Sequence, residues 1–348
     1  MASVAASNSL GDNVVDPPEF AASLERYPRK HVTAEVRRLS QVNGWRTTGL
    51  LVLHWSIVLL AGWAAVASGH WAVYALAMVV IATRQQALGV MLHDATHYLL
   101  YKNRTVNDVV SDLFVAFPLG MSTDLYRATH FRHHRYTNTE DDPDLRYQRK
   151  DADWYDWPKT RLGCAWVVVK SLLGLNVHKA HEPYKMWSPW MNILRPLDGK
   201  PRYPLRARVL LVLSTAAFYA AIIGSGLIIP ALLLWAVPGL TIMNLFNRLR
   251  ATAEHLHTPS THELNATRTV IPTWFERLSI APMNVSYHLE HHLFPSVPGP
   301  NLAKLHRVLM QDEEFRTKAH LTHSYVGLLR ELMTPKQEPQ EASPSPSP

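Results

Sequence analysis

Apolar positions in this chain come in long blocks. Between Thr47 and Thr83 there are 37 consecutive residues without Asp, Glu, Lys or Arg, and between Val209 and Asn247 there are 39. A helix crossing the hydrocarbon core needs roughly 20 apolar residues, because about 30 Å is covered at about 1.5 Å per residue. Each block is therefore two spans long. Turn residues divide them, Ser68-Gly69-His70 in the first and Gly224-Ser225-Gly226 through Pro230 in the second. The pattern predicts four transmembrane helices in two hairpins, over about 47–68, 71–92, 209–227 and 230–250. Buried core helices of a large soluble protein are the alternative, but such cores seldom hold charge-free runs of nearly 40 residues.

Charge supports the spans and orients them. Arg26, Arg29, Lys30, Arg37, Arg38 and Arg46 precede the first hairpin, Arg202, Arg206 and Arg208 precede the second, and neither tip carries Lys or Arg. The positive-inside tendency then puts both termini and the long middle segment in the cytoplasm. Arg84, about 14 residues past the first tip, must either snorkel or face inward. Within the middle segment, 109–121 and 162–177 are apolar but too short to span. Trp154, Trp157, Trp187 and Trp190 suit a headgroup boundary, so both pieces read as interfacial or half-buried helices. The first twenty residues lack the order of a signal peptide, and 335–348 is a Pro/Ser/Gln/Glu tail; both ends are expected to be disordered, leaving 21–334 as one membrane domain.

Composition narrows the chemistry. One cysteine, Cys164, excludes an intrachain disulfide and a cysteine-ligated iron–sulfur cluster, and no Gly-rich dinucleotide fingerprint follows a strand-like run. Histidine is abundant at 19 residues, against 35 Lys+Arg and 28 Asp+Glu for a net charge of +7. The basic balance suits anionic headgroups or an acidic electron carrier equally well. Nothing interleaves basic residues with base-stacking aromatics, so no nucleic-acid partner is expected.

Three histidine clusters stand out: His93 and His97; His130, His133 and His134; His288, His291 and His292. Positions i, i+3 and i+4 share a helix face, so each cluster aims imidazoles at a common point. Eight such ligands exceed one tetrahedral ion and imply two metals. All three clusters fall on the same side of the predicted bilayer, which predicts a helical cap above the lipid holding the site. Asp94, Asp141, Asp142, Asp144 and Glu290 are candidates to accept the second ring N–H of a ligand histidine, Asp94 and Glu290 being the best placed along the chain; the Asp-rich run reads equally well as a solvated turn around Pro143. His31, His54, His70, His178, His181, His262, His306, His320 and His323 belong to no cluster and read as ordinary histidines.

These clusters and their neighbourhoods resemble the membrane fatty acid desaturases, within the wider group of histidine-box di-iron membrane oxidases and hydroxylases. The resemblance covers about 49–309 and includes Thr137-Asn138 through Asp141-Asp142-Pro143-Asp144 and the run Tyr287-His288-Leu289-Glu290-His291-His292-Leu293-Phe294-Pro295. It implies an all-α integral membrane fold with a cytosolic cap, two irons, O2 as co-substrate and removal of hydrogen from an unactivated acyl chain. It also implies a ninth ligand just past the fourth span, for which His255 is the candidate. Glu254 is then a ligand or an orienting carboxylate, or simply part of a Glu-His pair at a helix end. Some relatives place an Asn four residues before that histidine; Ala251 stands here instead, so that feature does not transfer. Soluble di-iron enzymes use paired Glu-x-x-His motifs, and this chain has one, Glu254 to His257.

With no haem-binding His-Pro-Gly-Gly segment, electrons are expected from an external ferredoxin or cytochrome b5 with its reductase, and the substrate is expected to be a lipid or a carrier-bound acyl chain. Hydroxylation of a lipid or secondary metabolite on the same scaffold stays open as an alternative. An intramembrane zinc hydrolase is a distant one: His93 and His97 have the metalloprotease spacing, but Asp94 stands where that motif needs Glu. A four-span metal carrier lacks the expected intramembrane ligands.

Overall fold

The computed structural model describes residues 24–157, 159–193 and 205–334; the two ends expected to be disordered lie largely outside them. Helix α1 (Thr33–Leu39) is followed by α2 (Gly44–Ser68) and α3 (Trp71–Thr96), separated only by Gly69 and His70. Gly69 takes φ +62°, a left-handed turn that costs a glycine nothing and ends the helix. The His70 side chain then accepts the Ala72 N–H and starts the next one. α2 and α3 pack along Val58, Ala65, Ala77 and Ile81, with small residues letting the backbones approach as membrane helices require.

Beyond α3 the chain forms α4 (Arg104–Ser111), α5 (Thr123–Tyr136), α6 (Pro143–Arg149) and α7 (Arg161–Leu172). α7 buries Cys164, Val167 and Ser171 and exposes Leu162, Trp166, Val169 and Leu172, the half-buried character expected of it. α8 (Leu205–Ser225) and α9 (Ile228–His255) complete a set of four helices long and apolar enough to cross a membrane among the described residues. They start and end within a few residues of the expected spans, except that α3 and α9 run on to the first histidines.

α9 is not uniform. Wider π-turns occupy Leu232–Ala236 and Gly239–Met243, on either side of Pro238, which supplies no N–H and clashes with a regular preceding turn. Gln85 of α3 repairs the damage by donating to the Trp235 carbonyl at 2.8 Å. Gly239 makes room for it, since a Cβ there would meet Gln85 Nε2 at 3.3 Å.

The part of the chain after α9 is not wholly helical. β1 (Thr269–Ile271) precedes α10 (Trp274–Leu278), α11 (His288–Leu293) and α12 (Gly299–Leu309). It pairs in parallel with β2 (Leu321–His323), ahead of α13 (Ser324–Met333). This two-stranded element is a small addition to a predominantly helical structure: three-residue strands carry no periodicity that can be read along the chain. A core outside the apolar helices packs Tyr27, Val32 and Leu39 from the N-terminal side against Leu289, Leu305, Leu309 and Phe315, each such buried side chain contributing about 1.5–3 kcal/mol.

Candidate metal centre

Four short stretches of helix deliver the histidines. His93 lies in the last turn of α3 and His97 caps it; His130, His133 and His134 lie on α5; His255 ends α9; His288, His291 and His292 lie on α11. Their ring nitrogens gather into two groups, one of His93, His97, His130, His134 and His291, the other of His133, His255, His288 and His292, with the candidate donor atoms of each group within 4.8 Å of one another. All nine predicted ligands are brought together.

Helical geometry explains the division. Each His-x-x-His-His box sends its i and i+4 imidazoles to one group and the i+3 imidazole to the other. On α5, His130 and His134 join the first group and His133 the second; on α11, His288 and His292 join the second and His291 the first. Adjacent residues such as His133 and His134 project about 100° apart, so one helix serves two centres. The two boxes do so in opposite senses, which interlocks them.

Within the groups, Nε2 atoms face one another: His130 to His97 at 2.9 Å, His134 to His130 at 3.0 Å and to His291 at 2.9 Å, His288 to His255 at 2.8 Å, and His133 to His292 at 3.3 Å. An ion–nitrogen bond of about 2.0–2.1 Å puts neighbouring ligand atoms about 3 Å apart. His93 Nε2 is buried without a hydrogen-bond partner, a polar atom that a metal ion would satisfy. The donor set therefore fits a pair of nitrogen-bound ions.

Carboxylates bear on the outer ring nitrogens. His133 Nδ1 lies 2.9 and 3.0 Å from the two oxygens of buried Asp142 and 3.9 Å from Asp144. Asp142 also accepts the N–H groups of Asn138 and Asp144, capping α6. Glu254 stands 3.6 Å from His288 Nδ1 and 3.1 Å from Arg250 Nε, on the side of the ring away from the ion position. Asp94 lies 3.7 Å from His93 Nδ1 and accepts the Gly299 N–H at 3.0 Å. A Cβ on Gly299 would sit 3.2 Å from that carboxylate and 3.0 Å from the Met283 carbonyl, so only glycine fits comfortably there.

Two sequence candidates stand elsewhere. Asp141 is exposed and pairs with Arg146. Glu290 turns away from the imidazoles to bind Thr269 Oγ1 and, at 2.5 Å, His306 Nδ1. His306, read as ordinary, thus holds α11 from behind; it is 16 residues from Glu290, and no spacing rule marks it. Arg127 was also illegible. It donates to the carbonyls of Thr96 and Ala95, pairs with Asp108 and Asp124, and lies 4.0 Å from the Tyr98 ring. Tyr98 takes φ +59°, so this arginine fixes a strained exit from α3 right at His97.

Electrostatics favour the ligand form of the rings. Burial first, and mutual repulsion second, hold His130, His134, His288, His291 and His292 well below the ordinary histidine range; burial and the Arg127 charge hold His97 at about 3. All are neutral at pH 7. His133 is the exception: burial lowers it, but the Asp144 and Asp142 carboxylates outweigh that and raise it to about 9. Asp142 is held low by the same pairing, against its own burial.

A cavity of about 810 Å³ opens beside the site, its lining including Trp45, Arg46, Met91, Asp94, Leu100 and Met283. Its size is that of a pocket for a small organic ligand, and Asp94 places its wall one residue from His93.

Four apolar helices, two of them ending at buried histidine clusters able to bind metal, define the class, a membrane-associated protein with a nitrogen-rich metal site. The fatty acid desaturase family model matches residues 69–324, and the chain belongs to that family. It is 30% identical to the dihydrorhizobitoxine desaturase of Bradyrhizobium elkanii, over 74% of this chain and 73% of that one. It is 25% identical to the chloroplastic omega-6 fatty acid desaturase of Spinacia oleracea, over 86% of this chain and 66% of the other, and 25% identical to the sn-1 oleoyl-lipid 12-desaturase of Anabaena variabilis, over 71% and 72%.

Proposed function

We propose that this chain is a multi-pass membrane oxidoreductase that uses two irons and O2 to introduce a carbon–carbon double bond into an acyl chain. The observation that carries the reading is the convergence of nine imidazoles, five in one group and four in the other, with His93, His97 and His255 at the ends of two apolar helices, in a desaturase-family chain. His93, His97, His130, His134 and His291 hold one ion; His133, His255, His288 and His292 hold the other. Two such irons, when bound, supply the oxidising power that breaking an unactivated C–H bond requires.

The chain's own residues prepare that chemistry. Asp142 accepts the Nδ1–H of His133 and so keeps its Nε2 free for the ion, with Asp144 reinforcing Asp142; Glu254, 3.6 Å from His288 Nδ1, and Asp94, 3.7 Å from His93 Nδ1, bias those rings the same way by charge. Burial keeps bulk water from the reacting carbon. Two electrons come from an external ferredoxin or cytochrome b5 system. The helices form two hairpins over about 47–68, 71–92, 209–227 and 230–250, with the cap, the site and both termini in the cytoplasm, and 21–334 acts as one domain.

One observation favours a second reading of the substrate: the 30%-identical relative is named for dihydrorhizobitoxine rather than for a fatty acid. The same centre then acts on a secondary metabolite, by desaturation or hydroxylation. Lipid and metabolite profiling of a host expressing the chain with a ferredoxin system separates these outcomes. An acyl product lighter by two hydrogens supports the first reading, and a metabolite so changed the second. A product heavier by one oxygen replaces desaturation with hydroxylation, and an unchanged profile from iron-loaded, reducible protein overturns both.

A further inference from the structure

α10 presents Trp274, Phe275 and Leu278 outward, with fractional exposures of 75%, 62% and 55%. At i, i+1 and i+4 they fall within one arc of about 100° on the helix. The element is rigidly held. Thr273 and Glu276 form a capping box, and buried Glu276 also accepts the Tyr325 N–H at 2.8 Å. The apolar arc is thus a fixed surface of the fold, with no described segment lying over it.

Its level along the apolar helices is set by hydrogen bonds. Arg84 Nη2 donates to the Leu278 carbonyl at 2.7 Å, and Gln86 Nε2 to the Ile280 carbonyl at 3.1 Å. Arg84 Nη1 lies 3.4 Å from His54 Nδ1. Arg84 is 13 residues from the start of α3 and His54 is 14 from the end of α2, so both lie about 20 Å along the axis from the hairpin tip. With a hydrocarbon core about 30 Å thick and the tip at its far boundary, Arg84 lies about 10 Å inside the boundary nearer the cap, and Leu278 and Ile280, within one side-chain length of that level, also lie inside it. Exposed apolar residues of α2 reach the same zone at Val52 and Leu53 and continue toward the tip at Leu59 and Leu60, so the arc continues a lipid-facing surface. Arg277, beside it, turns its guanidinium toward Tyr287 Oη at 3.1 Å and Asn284, the cap-ward direction a charge at that depth must take.

We infer that the segment 273–280 is a fifth membrane-inserted element, whose Trp274, Phe275 and Leu278 lie among the phospholipid acyl chains of the leaflet nearer the cap. It also answers the question Arg84 raised. Instead of snorkelling, that guanidinium is met at depth by a backbone carbonyl of the inserted segment and by His54. The inference rests on the membrane-spanning reading of α2 and α3.

Nitroxide spin labels in phosphatidylcholine nanodiscs test it, because O2 concentrates in hydrocarbon while a polar nickel(II) chelate stays in water. In a Cys164→Ser background, labels are placed singly at Phe275→Cys, at Leu60→Cys on the lipid face of α2, and at Thr317→Cys on the exposed cap. The expected result is that 275 behaves as 60 does, relaxed more by O2 than by nickel, with the order reversed at 317. Nickel access at 275 matching that at 317, with 60 still lipid-like, overturns the inference and leaves the spans intact. Nickel access at both 275 and 60 overturns the spans as well. Leu278→Cys repeats the test should the variant at 275 not fold.

Discussion

Asp141 and Asp142 are chemically identical neighbours with opposite fates. Asp141 meets Arg146 in solvent, while Asp142 is buried against His133 and two backbone amides. Removing the charge at Asp142 should therefore loosen the second metal group. Asp142→Asn is expected to lower metal affinity about 10–100-fold, and Asp141→Asn to leave it unchanged, as read by competition with a chelator in detergent. Equal effects at the two positions would dispose of the orienting role. Among the ligands themselves, His133→Ala, His134→Ala, His291→Ala and His292→Ala should each abolish activity and reduce bound metal while the protein still fractionates with membranes. A variant that retains both metal and turnover would remove its imidazole from the set. Asp94 bears on the zinc-hydrolase alternative: it lies on the Nδ1 side of His93, held by the Gly299 amide, and not where a base would meet a metal-bound water.

At the scale of elements, the histidine helices are held by contacts from behind. α11 is anchored through Glu290 to β1 and α12, and α3 through Arg127 to α4 and α5. β1, β2 and α13 are locked by Glu331, which binds His320, Arg268 and Thr322. Burial alone would raise that carboxyl, but the His320 and Arg268 contacts pull it from 4.5 down to about 2. A depressed folded-state value stabilises the fold above about pH 4.5 and is lost as pH falls toward about 2. Thermal unfolding in detergent should show wild type losing its advantage over Glu331→Gln across that window; a constant difference between them would rule out the linkage. Of these contacts the sequence discloses little, since Glu290 and His306, or Arg127 and Thr96, are joined only by folding.

For the whole molecule, the expectations concern stoichiometry and orientation. Purified protein should contain two irons per chain by elemental analysis, and a single zinc would defeat the di-iron reading. Reporter tags at the two termini should both register as cytoplasmic; one on the far side would break the even number of crossings. Helix existence was plain from the blocks beginning at Thr47 and Val209, because a span must be apolar along its whole length to be stable in lipid. The π-turns around Pro238 and the strands at Thr269 and Leu321 were not, being too short to leave a period.

By itself the sequence determined the four apolar helices, the clustered imidazoles and the family they resemble, since these depend on composition and spacing within single segments. The tertiary structure alone decided how nine histidines divide into five and four, that Asp142 and not Glu290 serves a ring, and where Arg84 finds its partner. The division and the Arg84 contacts join segments tens to hundreds of residues apart, and Asp142, only nine residues from His133, meets its ring through an irregular turn; side-chain distances of about 3 Å of either kind are set only when the whole chain has packed.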